Sequence, residues 1–146
     1  MKNADENIIQ FYSNISDIYS DTQKTSRDKT FAFRVEMESF LKDYTQSTQS
    51  LHETLKNFYK IHQIKEVNDL SHVLKNRFNE VVHNKDVVPT EEDIKIFFSS
   101  LVRIVFIATH IYPPKRTINF LEIDQEHLLN ELNKNQKLAI LEDKRI

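Results

Sequence analysis

An arginine and a histidine near the end of one predicted helix are the residues of this sequence best suited to chemistry. Arg77 and His83 lie in the segment KNRFNEVVHN, with five residues between them. The guanidinium is a permanent planar cation that fits a phosphate group, and the imidazole exchanges a proton near neutral pH. The residues around the pair are amides and lysines, namely Lys75, Asn76, Asn79, Asn84 and Lys85. Together these groups supply the parts for phosphodiester chemistry without a metal ion.

The spacing of this pair is not specific, because Arg103 and His110 repeat it with six residues between them. We interpret the second pair as structural, with Arg103 paired to an acid and His110 closing its helix. On an ideal helix Arg77 and His83 are about 120° apart, so they converge only if the arginine wraps round the helix or the last turn unwinds. One helix face is instead shared by Asn76, Asn79, Glu80 and His83.

The rest of the sequence does not indicate a metal-binding site. The other histidines lack a chelating spacing, and we expect them at the surface or at the edge of the core: His52, His62, His72 and His127. The chain has no cysteine, which excludes disulfides and thiolate metal sites. Neighbouring carboxylates such as those of residues 91–93 fit solvated faces or helix caps. We therefore expect neither a metal nor another cofactor.

The composition excludes several classes of enzyme. The 146 residues contain no glycine, which phosphate-binding loops, two-residue hairpins and nucleophile elbows need. Helices joined by Asn, Asp, Ser and Pro remain easy to build. Neither a signal sequence nor a membrane span is apparent, so we expect a cytoplasmic protein of one domain. Because the formal net charge is −2, any contact with RNA must come from a local basic patch or from an oligomer.

Apolar residues that recur every three or four positions predict an all-α bundle of four to five helices. The predicted helices span about 3–21, 30–58, 68–83, 90–110 and 124–141. The second helix has a weak point at TQSTQS, residues 45–50. Residues 117–123 are expected to be a short strand or a loop within a C-terminal extension over 117–146.

The helix ends carry recognisable capping residues. Asn68 or Asp69 is expected to cap the third helix, and Thr90, with the acids that follow it, the fourth. The third helix is expected to bury Leu70, Val73, Leu74, Phe78 and Val81.

Three segments in this order resemble a HEPN domain, a family of helical nucleotide-binding bundles of higher eukaryotes and prokaryotes. They are FRVEMESFLKDYTQS, LKNRFNEVVHNKD and VVPTEEDIKIFFSSLVRIVFI. The resemblance covers roughly residues 30–111 and includes the helix that ends at His83. It implies a HEPN-like helical bundle.

The resemblance also implies a metal-independent endoribonuclease that acts as a homodimer. In such an enzyme Arg77 holds the scissile phosphate, and His83 is the general acid or base while the RNA 2′-hydroxyl attacks, which leaves a 2′,3′-cyclic phosphate. Asn79 joins them in a composite cleft between two subunits, where Lys75, Asn76, Asn84 and Lys85 bind RNA. A toxin or anti-phage defence component fits this activity, with an antitoxin or another defence protein as its partner.

Two alternatives remain open on the same residues. Active HEPN members commonly have a polar residue directly after the arginine, where this chain has Phe78, and no tyrosine follows His83 as in the HEPN toxins paired with nucleotidyltransferase antitoxins. The chain could therefore be a non-catalytic HEPN-like module that binds RNA, a nucleotide or a protein. A purely structural helical dimer is expected if Arg77 and His83 point into solvent on separate faces.

Overall fold

The computed structural model describes residues 4–121 and shows an all-α fold over that range. Six α-helices follow one another: α1 Ala4–Ser20, α2 Ser26–Thr45, α3 Leu51–His62, α4 Lys65–His83, α5 Glu91–Thr109 and α6 Lys115–Leu121. The predicted all-α class is confirmed, with six helices in the described residues where four to five were expected for the whole chain. In this part of the chain no helix combines the length and the apolar character that crossing a membrane requires.

Helix α5 lies at the centre of the bundle. Eleven of its residues are buried, and it contacts α1, α2 and α4. A helix that is apolar on nearly all sides is stable only when other helices surround it, which is why this segment forms the middle of the core. The aromatic residues of α1 and α2 pack around it, as the stacked rings of Tyr19 and Phe98 illustrate.

The single long helix predicted over residues 30–58 is wrong. It is divided into α2 and α3, because the polar run after Thr45 ends one helix and begins the next. Gln46 takes a left-handed conformation at the end of α2, and the Ser50 side chain accepts a hydrogen bond from the Glu53 N–H to cap α3. Helix α2 also begins earlier than predicted, at Ser26, because Thr25 caps it.

Other predicted boundaries need smaller corrections. Helix α4 begins at Lys65 rather than near Asn68 or Asp69, and its N-terminal neighbour Ile64 provides no side-chain cap. Val73, predicted to be buried, is 59% exposed. Residues 117–121, predicted to be part of a short strand or loop, belong to α6. The helix predicted over 124–141 lies outside the described residues.

The prediction for the start of α5 is confirmed. The Thr90 hydroxyl accepts a hydrogen bond from the Asp93 N–H, and the Asp93 carboxylate accepts one from the Thr90 N–H. This reciprocal arrangement satisfies two of the backbone donors that a helix start leaves free. It also fixes the Asp93 side chain close to the end of α4.

Helix α1 is tied to the far end of the described chain. The Tyr12 hydroxyl donates a hydrogen bond of 2.9 Å to the Ile111 carbonyl oxygen. Four residues on, the buried Ser16 and Thr117 hydroxyls lie 2.7 Å apart. These bonds link α1 with α6 and with the loop that precedes α6.

Candidate functional site

The end of α4 is fixed by Phe78. Its side chain is fully buried, and its ring meets that of Phe97 on α5 edge to face, with centroids 5.1 Å apart. The aromatic residue after Arg77 is therefore part of the core. Its packing against α5 determines where the neighbouring polar side chains of α4 emerge.

Arg77 is held by two carboxylates. Its Nη1 lies 3.1 Å from Oε2 of Glu80, and its Nη2 lies 3.8 Å from Oδ1 of Asp93 at the start of α5. The side chain remains 45% exposed. Ion pairs at this exposure contribute about 0–1 kcal/mol, so a phosphate can compete for the guanidinium.

Asn79 is held by a residue of a different helix. Nε of Arg34 on α2 donates a hydrogen bond of 3.2 Å to Oδ1 of Asn79, and Arg34 also lies 3.8 Å from Glu38. The amide of Asn79 is therefore oriented, with its NH₂ group directed away from Arg34. Sequence reasoning did not single out Arg34. The only sequence feature that points to Arg34 is its spacing from Glu38, one helical turn later. The contact of Arg34 with α4 exists only in the folded chain.

His83 occupies the last turn of α4 with an exposed side chain. Within residues 4–121 its imidazole makes no hydrogen bond or ion pair. Because it follows Asn79 by four residues, the two side chains emerge on one face of the helix. Arg77 instead reaches Asp93 in the first turn of α5. Asn79 and His83 therefore share a face of α4, and Arg77 is held away from it.

Asn84 is a structural residue of the loop after α4. Its side-chain oxygen accepts the Asp86 N–H at 3.0 Å, and its carbonyl oxygen accepts the Val87 N–H at 3.1 Å. Arg27 of α2 donates to the carbonyl oxygens of both Asn84 and Val87. The side chains of Asn76 and Lys85 are exposed.

Lys75 belongs to a cluster of basic residues between α3 and α4, which we define as His52, Lys56, His72 and Lys75. Nζ of Lys75 lies 3.2 Å from Nδ1 of His52, and the His52 and His72 rings are 5.7 Å apart. Burial, together with the charges of Lys75, His52 and Lys56, lowers the pKa of His72, while Asp69 opposes the shift. The surface or boundary position expected of His52 and His72 is confirmed, but no pattern in the sequence predicts that they meet. His127 lies outside the described residues.

The second Arg–His pair is structural, as interpreted from the sequence. Arg103 lies 3.6 Å from Glu66 of α4. His110 has a φ of 63° and ends α5, where its N–H donates to the Phe106 carbonyl oxygen. In residues 4–121, no three side chains among His, Asp and Glu come close enough to hold a metal ion together.

Together, the fold and the site define a single all-α bundle with a polar, histidine-bearing helix end. Comparisons with protein-family models, curated proteins and solved structures found no match to this chain.

Proposed function

We propose that this chain is a metal-independent endoribonuclease of the HEPN type that acts as a homodimer in the cytoplasm. The observation that carries the proposal is the placement of His83 one turn after Asn79. The imidazole is exposed and unpartnered within residues 4–121, and the Asn79 amide is oriented by Arg34. A free imidazole can take or give a proton, and an oriented amide can donate to a phosphate oxygen.

The proposed reaction needs no other reagent than the RNA. His83 takes the proton of the 2′-hydroxyl, O2′ attacks phosphorus, and the bond from phosphorus to the 5′-oxygen breaks. The leaving oxygen receives a proton from His83 of a second copy. Arg77 stabilises the charge that develops on the phosphate oxygens. The products are a 2′,3′-cyclic phosphate and a 5′-hydroxyl end.

A second copy is part of the proposal because the site is incomplete in one chain. Arg77 and His83 diverge, and the cavity between α1 and α2 includes no residue of α4. Two copies that face each other across the end of α4 would bring together two sets of Lys75, Arg77 and Lys85. That concentration of positive charge compensates for the net charge of −2 on each chain.

Cleavage of RNA in excess chelator tests this proposal. The wild-type protein should cleave single-stranded RNA and leave cyclic phosphate ends, and His83→Ala should lower the rate by at least about 100-fold, because general acid–base catalysis contributes roughly that much. Light scattering on the same samples should give the mass of a dimer. A role as a toxin or anti-phage defence component, with an antitoxin or another defence protein as its partner, is part of the same proposal.

The matched control is His110→Asn, which changes the histidine of the structural pair and keeps a residue that tolerates positive φ. It should cleave at the wild-type rate. Equal cleavage by wild type and His83→Ala, or no cleavage of diverse RNAs by the wild type, would exclude the nuclease.

A non-catalytic module that binds RNA is the second candidate. The pairing of Arg77 with Glu80 and Asp93, and the burial of Phe78 beside it, favour this candidate. If this candidate is correct, the wild-type protein binds RNA without cleaving it, and its affinity for RNA falls steeply as the salt concentration rises. Binding that is insensitive to salt would favour a protein partner instead.

A further inference from the structure

The cavity between α1 and α2 is a second feature that could bind a ligand. Its volume is about 350 Å³, and its residues come from α1, α2 and the cap of α2. This volume lies at the small end of the range of about 300–1,000 Å³ found for ligand sites, which suits a compound with one ring or a short chain. Because α4 does not line it, the cavity is separate from the proposed nuclease site.

One wall of the cavity is aromatic. Phe11 of α1 and Phe40 of α2 stack with ring centroids 4.6 Å apart, and Tyr44 lies 5.7 Å from Phe40. Aromatic rings provide apolar contact area, and their faces also attract cations.

Two hydrogen bonds on the polar wall lead from Gln10 through Asn14 to the Glu36 carboxylate. The Gln10 amide donates to Oδ1 of Asn14 at 2.8 Å, and the Asn14 amide donates to Oε2 of Glu36 at 3.2 Å. The donor groups of Asn14 are thus directed along this chain, whereas Oε1 of Glu36 accepts no hydrogen bond from residues 4–121. A ligand at this wall should therefore be a hydrogen-bond donor.

The charged side chains that line the cavity in the described part of the chain are all acidic. Glu36 and Asp43 line it, and none of its lining residues in the described part of the chain is Lys, Arg or His. Neither carboxylate is in an ion pair within residues 4–121. Glu38 on the same helix is different, since it pairs with both Arg34 and Lys42. Two uncompensated carboxylates beside aromatic rings are a combination that recognises cations.

We propose that the α1/α2 cavity binds a small organic cation, in which an ammonium or guanidinium group is attached to a compact apolar body. The cationic group lies between Glu36 and Asp43, and the apolar body packs against Phe11, Phe40 and Tyr44. The proposal does not depend on nuclease activity.

Titration with three matched compounds tests the proposal. Benzylamine, benzyl alcohol and benzoate share one ring and differ in charge, so backbone amide chemical shifts recorded by NMR separate the role of charge from that of apolar contact. Benzylamine should shift amides of α1 and α2 saturably, and the other two should not. Glu36→Gln and Asp43→Asn should each weaken benzylamine binding by about three- to tenfold.

Glu38→Gln is the control variant, because it removes a carboxylate of α2 that already has two partners. It should bind benzylamine with wild-type affinity. Equal binding of benzyl alcohol would overturn the proposal, as would wild-type affinity in both Glu36→Gln and Asp43→Asn or the absence of saturable shifts with benzylamine.

Discussion

At the scale of single residues, His62 is a partly buried imidazole packed between aromatic rings. Its ring stacks on Tyr44 with centroids 5.5 Å apart and meets Phe58 at 4.8 Å. Its Nε2 is buried and has no hydrogen-bond partner within the described residues. Burial, with a smaller contribution from the charge of His110, lowers the pKa of His62 below its ordinary value of 6.5. The folded protein therefore holds this imidazole in its neutral form.

Acid should destabilise the protein through His62. Because the pKa is lower in the folded than in the unfolded state, the contribution of His62 to stability is full above about pH 6.5 and is lost as pH falls from there through the folded-state pKa. His62→Phe should reduce the decrease in the free energy of unfolding between pH 7.5 and pH 5.5, as measured by urea denaturation.

His83→Gln is the comparison for this measurement, since it removes an exposed imidazole. It should show the same decrease between the two pH values as the wild type. An unchanged decrease in His62→Phe would mean that His62 does not cause the acid sensitivity.

Only part of the candidate site was predictable from its residues. The contact between Arg77 and Glu80 follows from helical spacing, because residues three apart are neighbours. The contacts of Arg77 with Asp93 and of Arg34 with Asn79 join helices whose relative rotation no local pattern encodes. The sequence therefore located the segment but did not indicate which of its side chains meet.

At the scale of helices, three helix ends within residues 4–121 adopt positive φ, and none of the three residues is a glycine. Gln46, Gln63 and His110 have φ of 57°, 53° and 63°. A left-handed conformation costs a residue with a Cβ atom about 1–2 kcal/mol, which glycine does not incur. The cost is partly offset at the ends of α2, α3 and α5, because in each case the N–H of the cap residue donates a hydrogen bond to a carbonyl oxygen of the last turn.

Replacing Gln63 by glycine should therefore stabilise the fold. Gln63→Gly should raise the free energy of unfolding by about 0.5–1 kcal/mol, since the relief of the left-handed conformation exceeds the entropy that glycine adds to the unfolded chain. Urea denaturation at neutral pH measures the change.

Gln49→Gly is the matched control, because Gln49 lies in the loop before α3 and lacks a positive φ. It should leave stability unchanged or lower it. A destabilised Gln63→Gly would show that the Gln63 side chain stabilises the helix end in the folded state.

Helix existence was more predictable than helix boundaries. The cap of α5 could be read directly, because Thr90 and Asp93 stand at the spacing of a reciprocal cap. The break between α2 and α3 was indicated only as a weak point at residues 45–50, because Leu51, Leu55 and Phe58 continue the apolar spacing of the preceding helix across the loop. The periodic spacing of apolar residues indicates which residues are buried. This spacing can continue across a break between two helices when both helices pack into the same core.

At the scale of the whole molecule, the bundle is joined by polar contacts between its distant parts. Tyr12 is fully buried, and burial raises the pKa of its hydroxyl. A hydrogen bond with Thr109 partly offsets this rise in the pKa. The same hydroxyl donates to the Ile111 carbonyl oxygen. The Ser16 and Thr117 hydroxyls make a second buried link. These bonds hold α1 in its position against the end of α5 and against α6.

Removing the Tyr12 hydroxyl should destabilise the protein. Tyr12→Phe leaves a carbonyl oxygen without this donor, which should lower the free energy of unfolding by about 1–3 kcal/mol. Tyr112→Phe is the control, because that side chain is 41% exposed and should change stability by less than about 0.5 kcal/mol. Equal effects of the two substitutions in urea denaturation would contradict a role for this hydrogen bond.

The link between α1 and α6 also governs the order of events during synthesis. Its two hydrogen bonds join residues 99 and 101 positions apart. A ribosome that adds about 5–20 residues per second needs roughly 5–20 s to produce the partners of a newly made α1. During that interval the apolar face of α1, with Ile8, Phe11 and Ile15, can pack against α2, but α5 and α6, which complete the core around it, are still to be made. Nascent-chain chaperones should therefore engage α1 until residue 117 has left the exit tunnel.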